Sequence, residues 1–328
     1  LIDLTPGNTM LIFRIMTYRK LHNLLVRPRW TFSLAVVLAT LAIGFTAART
    51  VQAQDVIRLF KPHSELDQRH LYNNALLTLA LEKTIPQYGS FDVVFTLPGT
   101  QRNRALVEII SGRKVNVHVV PTRPEWELKA LPIRIPVLKG LLGYRLFLIR
   151  RHDIEKFEQI ESLYQLMTLK AGLRQQWSTT KAMTRLGFQV VTGSDYEGLF
   201  AMLMANRFDY FPRGVNEIFG EYNSRSQHLP DMVIEPRLAL YLPQPTYIFV
   251  SKKTPRLAQR LEAGLRQMIL GGSFDKLFTA YHKSSLQQAD LANRRVFKVD
   301  NPLLSKDTPF ENESLWLEQG TPYKNKEL

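Results

Sequence analysis

Residues 91–120, FDVVFTLPGTQRNRALVEIISGRKVNVHVV, hold the pattern that decides the fold. Residues 91–96 form an aromatic and β-branched run stopped by Pro98-Gly99, 102–111 have helical spacing and end at Gly112, and 115–120 form a second apolar run. Upstream, 56–60 predict a strand and 69–83 a helix, with Leu71, Ala75, Leu79 and Glu82 one turn apart. The order is β-α-β-α-β. Such alternation implies a mainly parallel sheet covered by helices on both faces, with ligands at the carboxyl ends of its strands.

Working outward, residues 121–143 contain four prolines and no periodicity, which predicts an excursion across the surface or cleft without regular elements. Residues 144–150 return to strand character. A second alternation follows, with helices near 157–163, 178–186, 195–206 and 215–222 and strands near 167–173, 188–191 and 208–211. Tyr196, Leu199, Phe200 and Leu203 supply the i, i+3, i+4, i+7 stripe of a core-facing helix. Past Pro230 come strands at 232–234, 238–242 and 246–251, then helices at 255–270 and 274–282, parted by Gly271-Gly272. The tail from Leu291 carries apolar anchors at Val296-Phe297, Leu303-Leu304 and Leu315-Trp316-Leu317 and is expected to pack against a domain.

The 328 residues carry 43 Lys plus Arg against 29 Asp plus Glu, a net charge of +14, with 45% hydrophobic residues and no Cys. Ordinary apolar content with 22% charge excludes collagen, low-complexity disorder, disulfide miniproteins and multi-span membrane proteins. The length suggests two domains. Without Cys there is no thiolate nucleophile, zinc knuckle or lipidated N-terminal Cys. Residues 99–151 concentrate the positive charge, with eleven Lys/Arg against Glu108, Glu125 and Glu127. That field favours an anionic partner, although a solvated basic surface also explains it. Nucleic acid is not expected, since no aromatic-interleaved basic motif is present.

Near the N-terminus, Arg19, Lys20, Arg27 and Arg29 precede an apolar block at 32–48 and the string Arg49-Thr50-Val51-Gln52-Ala53. These are the parts of a secretory signal, with the cut expected after Ala53 and a periplasmic mature chain. The block spans 17 residues and includes Ser33, Thr40, Gly44 and Thr46. It falls short of a membrane span of about 20, and an uncleaved anchor stays open as the alternative. Residues 1–9 precede the first Met and read as upstream sequence.

Several strings, in their order and spacing, carry a resemblance: Asp67-Gln68-Arg69-His70-Leu71-Tyr72; Lys139-Gly140-Leu141-Leu142-Gly143-Tyr144-Arg145; Gly172-Leu173-Arg174-Gln175-Gln176-Trp177; Arg207-Phe208-Asp209-Tyr210-Phe211-Pro212-Arg213; and Asn301-Pro302-Leu303-Leu304. The chain resembles the extracellular solute-binding proteins of family 3, the periplasmic receptors of amino-acid ABC transporters, in a divergent branch. The resemblance spans about 54–285. It implies an α/β venus-flytrap, with lobe 1 from 54–144 and 251–328, lobe 2 from 145–250, and two crossover strands near 144–150 and 246–251. It further implies a monomer that captures a small-molecule solute between its lobes for an inner-membrane permease or, alternatively, signals to a membrane sensor.

In that family an Arg on the lobe 1 excursion pairs with the ligand carboxylate and an Asp beyond a lobe 2 strand takes the ammonium. Here the first position falls near Glu125 or Trp126, with Arg123 out of register, and the second falls on Arg213 or Gly214. The charge pattern is absent or reversed. An Arg there repels an ammonium and attracts a carboxylate or phosphate, so the expected solute is anionic.

The candidate ligand-binding residues are Arg69, Tyr72, Arg123, Trp126, Gln175, Trp177 and Arg213. Each has a plainer reading. Arg213 can pair with Glu217 one turn along, and Trp126 can anchor a Pro-rich loop instead of stacking on a ligand. Arg69 and Tyr72 can meet the C-terminal tail. Gln175, Gln176 and Trp177 precede a helix whose free N–H groups suit an anion, though capping by Ser178 or Thr179 explains the same residues. No metal or cofactor is expected: the 63–70 His/acid cluster fits no zinc spacing, and no dinucleotide, phosphate-loop or nucleophile-elbow motif occurs. Binding without turnover is the expectation, with a dehydratase on the same fold as the least favoured alternative.

Overall fold

Strand β1 (Asp55–Phe60) pairs in parallel with β2 (Phe91–Leu97). The Asn116 N–H donates to the Arg58 carbonyl at 3.1 Å, and the Arg58 N–H donates to Asn116 Oδ1 at 2.7 Å. These bonds stitch β3 (Val117–Pro121) to the other side of β1. The computed structural model describes residues 54–61 and 69–317; the signal and its cut site lie outside the described residues. The described residues form one compact unit with its own apolar core, as an independently folding body requires. Among the described residues no helix is long and apolar enough to cross a membrane.

The chain between β3 and the next strands is more regular than the proline count suggests. Pro124–Lys129 is a helix opened by its proline, Leu131–Ile133 is a short strand (β4), and Leu141–Gly143 is a 3-10 turn. Pro124 sits where an N–H would have no helical partner. Pro132 is tolerated because β4 pairs on one side only, an edge position.

The second sheet begins with β5 (Tyr144–Arg150), buried on both faces. Parallel strands β6 (Lys170–Arg174) and β7 (Gln189–Gly193) meet it through β8 (Phe211–Gly214), which pairs antiparallel with β5, while a parallel bridge from Ala171 to Tyr210 ties β6 to the approach of β8. β9 (Met232–Ile234) and β10 (Leu238–Tyr241) pair antiparallel with successive parts of the other side of β5. β11 (Thr246–Val250) then returns to the first sheet, between β3 and β4.

Each sheet therefore contains one strand delivered from the opposite lobe, β5 in the second and β11 in the first. The crossings are the residues just ahead of each strand, where the Leu242 N–H donates to Gly143 O at 3.0 Å. Residues 246–250 belong to lobe 1 by their pairing with β3 and β4. In the tail, β12 (Arg295–Lys298) pairs in parallel with β10 and belongs to lobe 2.

From β12 the tail crosses back. The Asn301 amide donates to Pro243 O at 2.8 Å beside the crossing, and the Leu317 N–H donates to Lys139 O at 2.9 Å in lobe 1. The helix Ser273–Ala289 also bridges the lobes, packing on Arg69–Lys83 of one and Val215–Asn223 of the other. One apolar cluster accordingly runs through both lobes, from Leu76 and Leu265 to Ile218 and Phe211.

Candidate functional site

Parallel strands point their carboxyl ends the same way, and the two lobes turn these ends toward each other. Lobe 1 presents Gln101 and Arg102 after β2, and Thr122, Arg123 and Glu125 after β3. Lobe 2 presents Gln176, Trp177 and Ser178 after β6, Tyr196 after β7, and Arg213 at the end of β8. Polar contacts join the two walls across the cleft. Arg102 donates to Ser178 Oγ at 3.2 Å, Gln176 donates to Gln101 Oε1 at 2.9 Å, and Lys181 Nζ lies 2.9 Å from Glu125 Oε1.

On the lobe 1 wall stand two guanidiniums. Arg102 also donates to the Pro121 carbonyl, and Arg123, 4% exposed, donates to Asn103 Oδ1 at 3.1 Å. Among the described residues neither makes an ion pair, and the Nε of each is buried without a partner. Burial, followed by repulsion from Arg123, pushes Arg102 down to about 9 despite the opposing pull of Glu125. Burial likewise lowers Arg123. Glu125 is lowered: burial pushes its carboxyl up, but the Lys181 hydrogen bond and charge outweigh it. These two guanidiniums thus have no ion pair, and only the nearby charge of Glu125 offsets their positive charge.

On the lobe 2 wall the charge is already matched. Arg213, 1% exposed, donates from Nε to Glu221 Oε2 at 2.6 Å and from its terminal nitrogen to Oε1 at 2.5 Å, with Glu217 at 3.1 Å. Its guanidinium lies 4.4 Å from the Trp177 ring centre, and Tyr196 donates to Glu221 Oε1 at 2.6 Å. Burial alone would lower Arg213, but Glu217 and Glu221 raise it above its ordinary value. Arg145, 2% exposed at the start of β5, donates to Thr179 Oγ1 at 3.0 Å; burial pushes it down to about 10, with Glu217 opposing and Arg213 adding to the shift.

The sequence candidates divide accordingly. Arg123, Gln175, Trp177 and Arg213 stand on loops or strand ends at the cleft. Arg213 has the pairing with Glu217 that its spacing allows and a stronger one with Glu221, so its donors are spent within the protein. Trp126 is fully buried against His118 and Phe249, the loop-anchor reading. Tyr72 is buried: its hydroxyl donates to Val137 O at 2.6 Å, and its ring packs on Phe278, Tyr281 and His282. Arg69 opens its helix. Arg102, Arg145 and Lys181 were not among the candidates; the signal for Arg102 was its place just after a parallel strand and a Pro-Gly turn. Among the described residues no cluster of His and acid groups could hold a metal ion.

No family model matches the chain, and no curated protein matches it by sequence. Among solved structures, an ancestral arginine-binding protein bound to arginine superposes at a TM-score of 0.50 with 16% identity, covering 69% of this chain and 96% of the other. The fold is that of the two-lobed periplasmic binding proteins. Solved structures less alike in shape include a histidine kinase sensor domain with similarity to periplasmic binding proteins (TM-score 0.47, 18% identity, 70% of this chain and 96% of that one) and a Salmonella typhimurium periplasmic binding protein with high arginine specificity (0.44, 12%, 70% and 97%).

Proposed function

We propose that this periplasmic-binding-protein fold captures a small anionic solute, a carboxylate or phosphate, between its lobes and passes it to a membrane permease of the ABC type from the periplasmic side. The observation that carries the reading is the pair Arg102 and Arg123. Neither makes an ion pair among the described residues, the Nε of each is buried without a partner, and Arg102 reaches Ser178 at the opening of the helix Ser178–Arg185. A buried charge without a counter-ion is costly. An oxyanion seated against these two forks relieves that cost and gains charge-assisted, bidentate hydrogen bonds.

Binding without turnover is the reading we carry for the same wall. The Lys181 hydrogen bond and charge hold the Glu125 carboxyl below its ordinary range, which does not suit it as a general acid, the role that needs a raised pKa. The anion preference read from Arg213 in the sequence is thus carried here by different arginines. The test is a thermal-shift screen of residues 54–328 against dicarboxylates, sugar acids, phosphates and amino acids. At a hundred times its dissociation constant, a ligand adds about 2.7 kcal/mol of stability. A shift with acids supports the reading; a shift with neutral or cationic amino acids alone refutes it.

A further inference from the structure

The cleft uses the carboxyl ends of the lobe 1 strands; their amino ends form the opposite pole, and its chemistry is of another kind. Register fixes what gathers there. Val250 of β11 lies beside Val117 of β3 and Leu131 of β4, so the loops 112–116, 128–130 and 251–254 emerge together. Ser251 N–H donates to Asn116 O at 2.8 Å, and Lys252 Nζ donates to Leu128 O at 2.7 Å. Gly112, at φ +63, lies so close to Lys253 that a Cβ built on it would stand 3.2 Å from the lysine Cβ.

These loops expose Arg113, Lys114, Lys129, Lys252 and Lys253, around a leucine, Leu128, that is 71% exposed. Asp55, the acid nearest the first strand, is taken up by Arg256 and Arg260 at 2.5 and 2.8 Å. Glu108 sits one turn inside its helix, where Gly112 N–H caps its carbonyl. Gln54, the first residue of the described body, lines a cavity of about 310 Å³ at this same pole with Arg58, Lys253 and Arg256. The sequence ahead of Gln54 carries the apolar block 32–48.

We propose that the amino-end pole of lobe 1 docks on the surface of an anionic phospholipid bilayer, the five cations meeting headgroups and Leu128 entering the interface. Basic side chains near an anionic leaflet add attraction roughly in proportion to their number, and an apolar side chain among them adds burial. A membrane held at this pole leaves the cleft, at the other end of the same strands, free to open and fill. The inference goes beyond the reading of the cleft and stands or falls apart from it.

The test is co-sedimentation of residues 54–328 with vesicles of phosphatidylcholine alone or with one-third phosphatidylglycerol. The expected result is a preference for the anionic vesicles of about tenfold or more, shrinking as salt screens it. Charge reversal in Arg113→Glu/Lys114→Glu/Lys253→Glu should abolish that preference, and the milder Lys114→Gln/Lys253→Gln, which adds no repulsion, should reduce it. Leu128→Ser should weaken binding while keeping the lipid preference. Equal sedimentation with both vesicles, or an undiminished preference in both charge variants, overturns the proposal. So does retention by soluble heparin with no vesicle binding, which assigns the patch to a soluble polyanion.

Discussion

Arg213 and Glu221 close on each other through two hydrogen bonds, at 2.6 and 2.5 Å, inside the lobe 2 wall. The arginine ends β8 and the glutamate lies two helical turns later, so the pair pins the helix Val215–Asn223 onto the strand that precedes it. Breaking a buried, hydrogen-bonded pair strands the remaining charge. Arg213→Gln should therefore cost about 3–5 kcal/mol in chemical denaturation. A loss below about 1 kcal/mol would show that the pair is solvated and weak.

The opposite outcome is expected one wall away. Arg123 is also buried, though less completely than Arg213, but it has one hydrogen bond and, among the described residues, no ion pair. Arg123→Gln removes a desolvated charge, so the denaturation midpoint of the ligand-free protein should hold or rise. A fall comparable to that of Arg213→Gln would mean that the guanidinium is structural.

His282 supplies a pH signature. It is 8% exposed between Tyr72 and Phe278, at 4.7 and 4.9 Å, and burial pushes it down to about 4 from an ordinary 6.5. Between those values the unfolded chain binds the proton and the folded chain does not. Stability should fall as pH drops from about 6.5 towards 4, and be flat in this respect above 6.5. His282→Leu should flatten the upper part of that slope, above pH 5, where carboxylates titrate little. An unchanged slope in urea titrations at pH 7, 6 and 5 would rule the assignment out.

Gly264 sets how closely two lobe 1 helices approach. A Cβ on it would lie 2.1 Å from the Ala80 carbonyl oxygen, a backbone atom that cannot swing aside. Gly264→Ala must push Pro255–Leu270 off Arg69–Lys83, and overpacking of this kind costs about 1–3 kcal/mol. A thermal midpoint equal to wild type would show that the helices slide freely.

The alternation of strands and helices was legible because each parallel strand is short, apolar and punctuated, as in 91–96 before Pro98-Gly99. The helix Pro124–Lys129 was not, since six residues offer too few turns for a period to register. β12 was readable only as an apolar anchor; its partner β10 lies far back in the chain, and four residues do not announce a lobe. The site divided along the same line. The Arg213–Glu217 pair is local and follows from helical spacing, whereas Arg102 gains meaning only when the fold brings Ser178, 76 residues away, within 3.2 Å.

The most direct measurement is calorimetric titration of residues 54–328 and of the double variant Arg102→Gln/Arg123→Gln against the same acids, phosphates and amino acids. The account predicts saturable heat from at least one acid with the wild-type protein, none from cationic amino acids, and silence from the double variant. Saturable binding of arginine or lysine by the wild type, or full acid binding by the double variant, would contradict it.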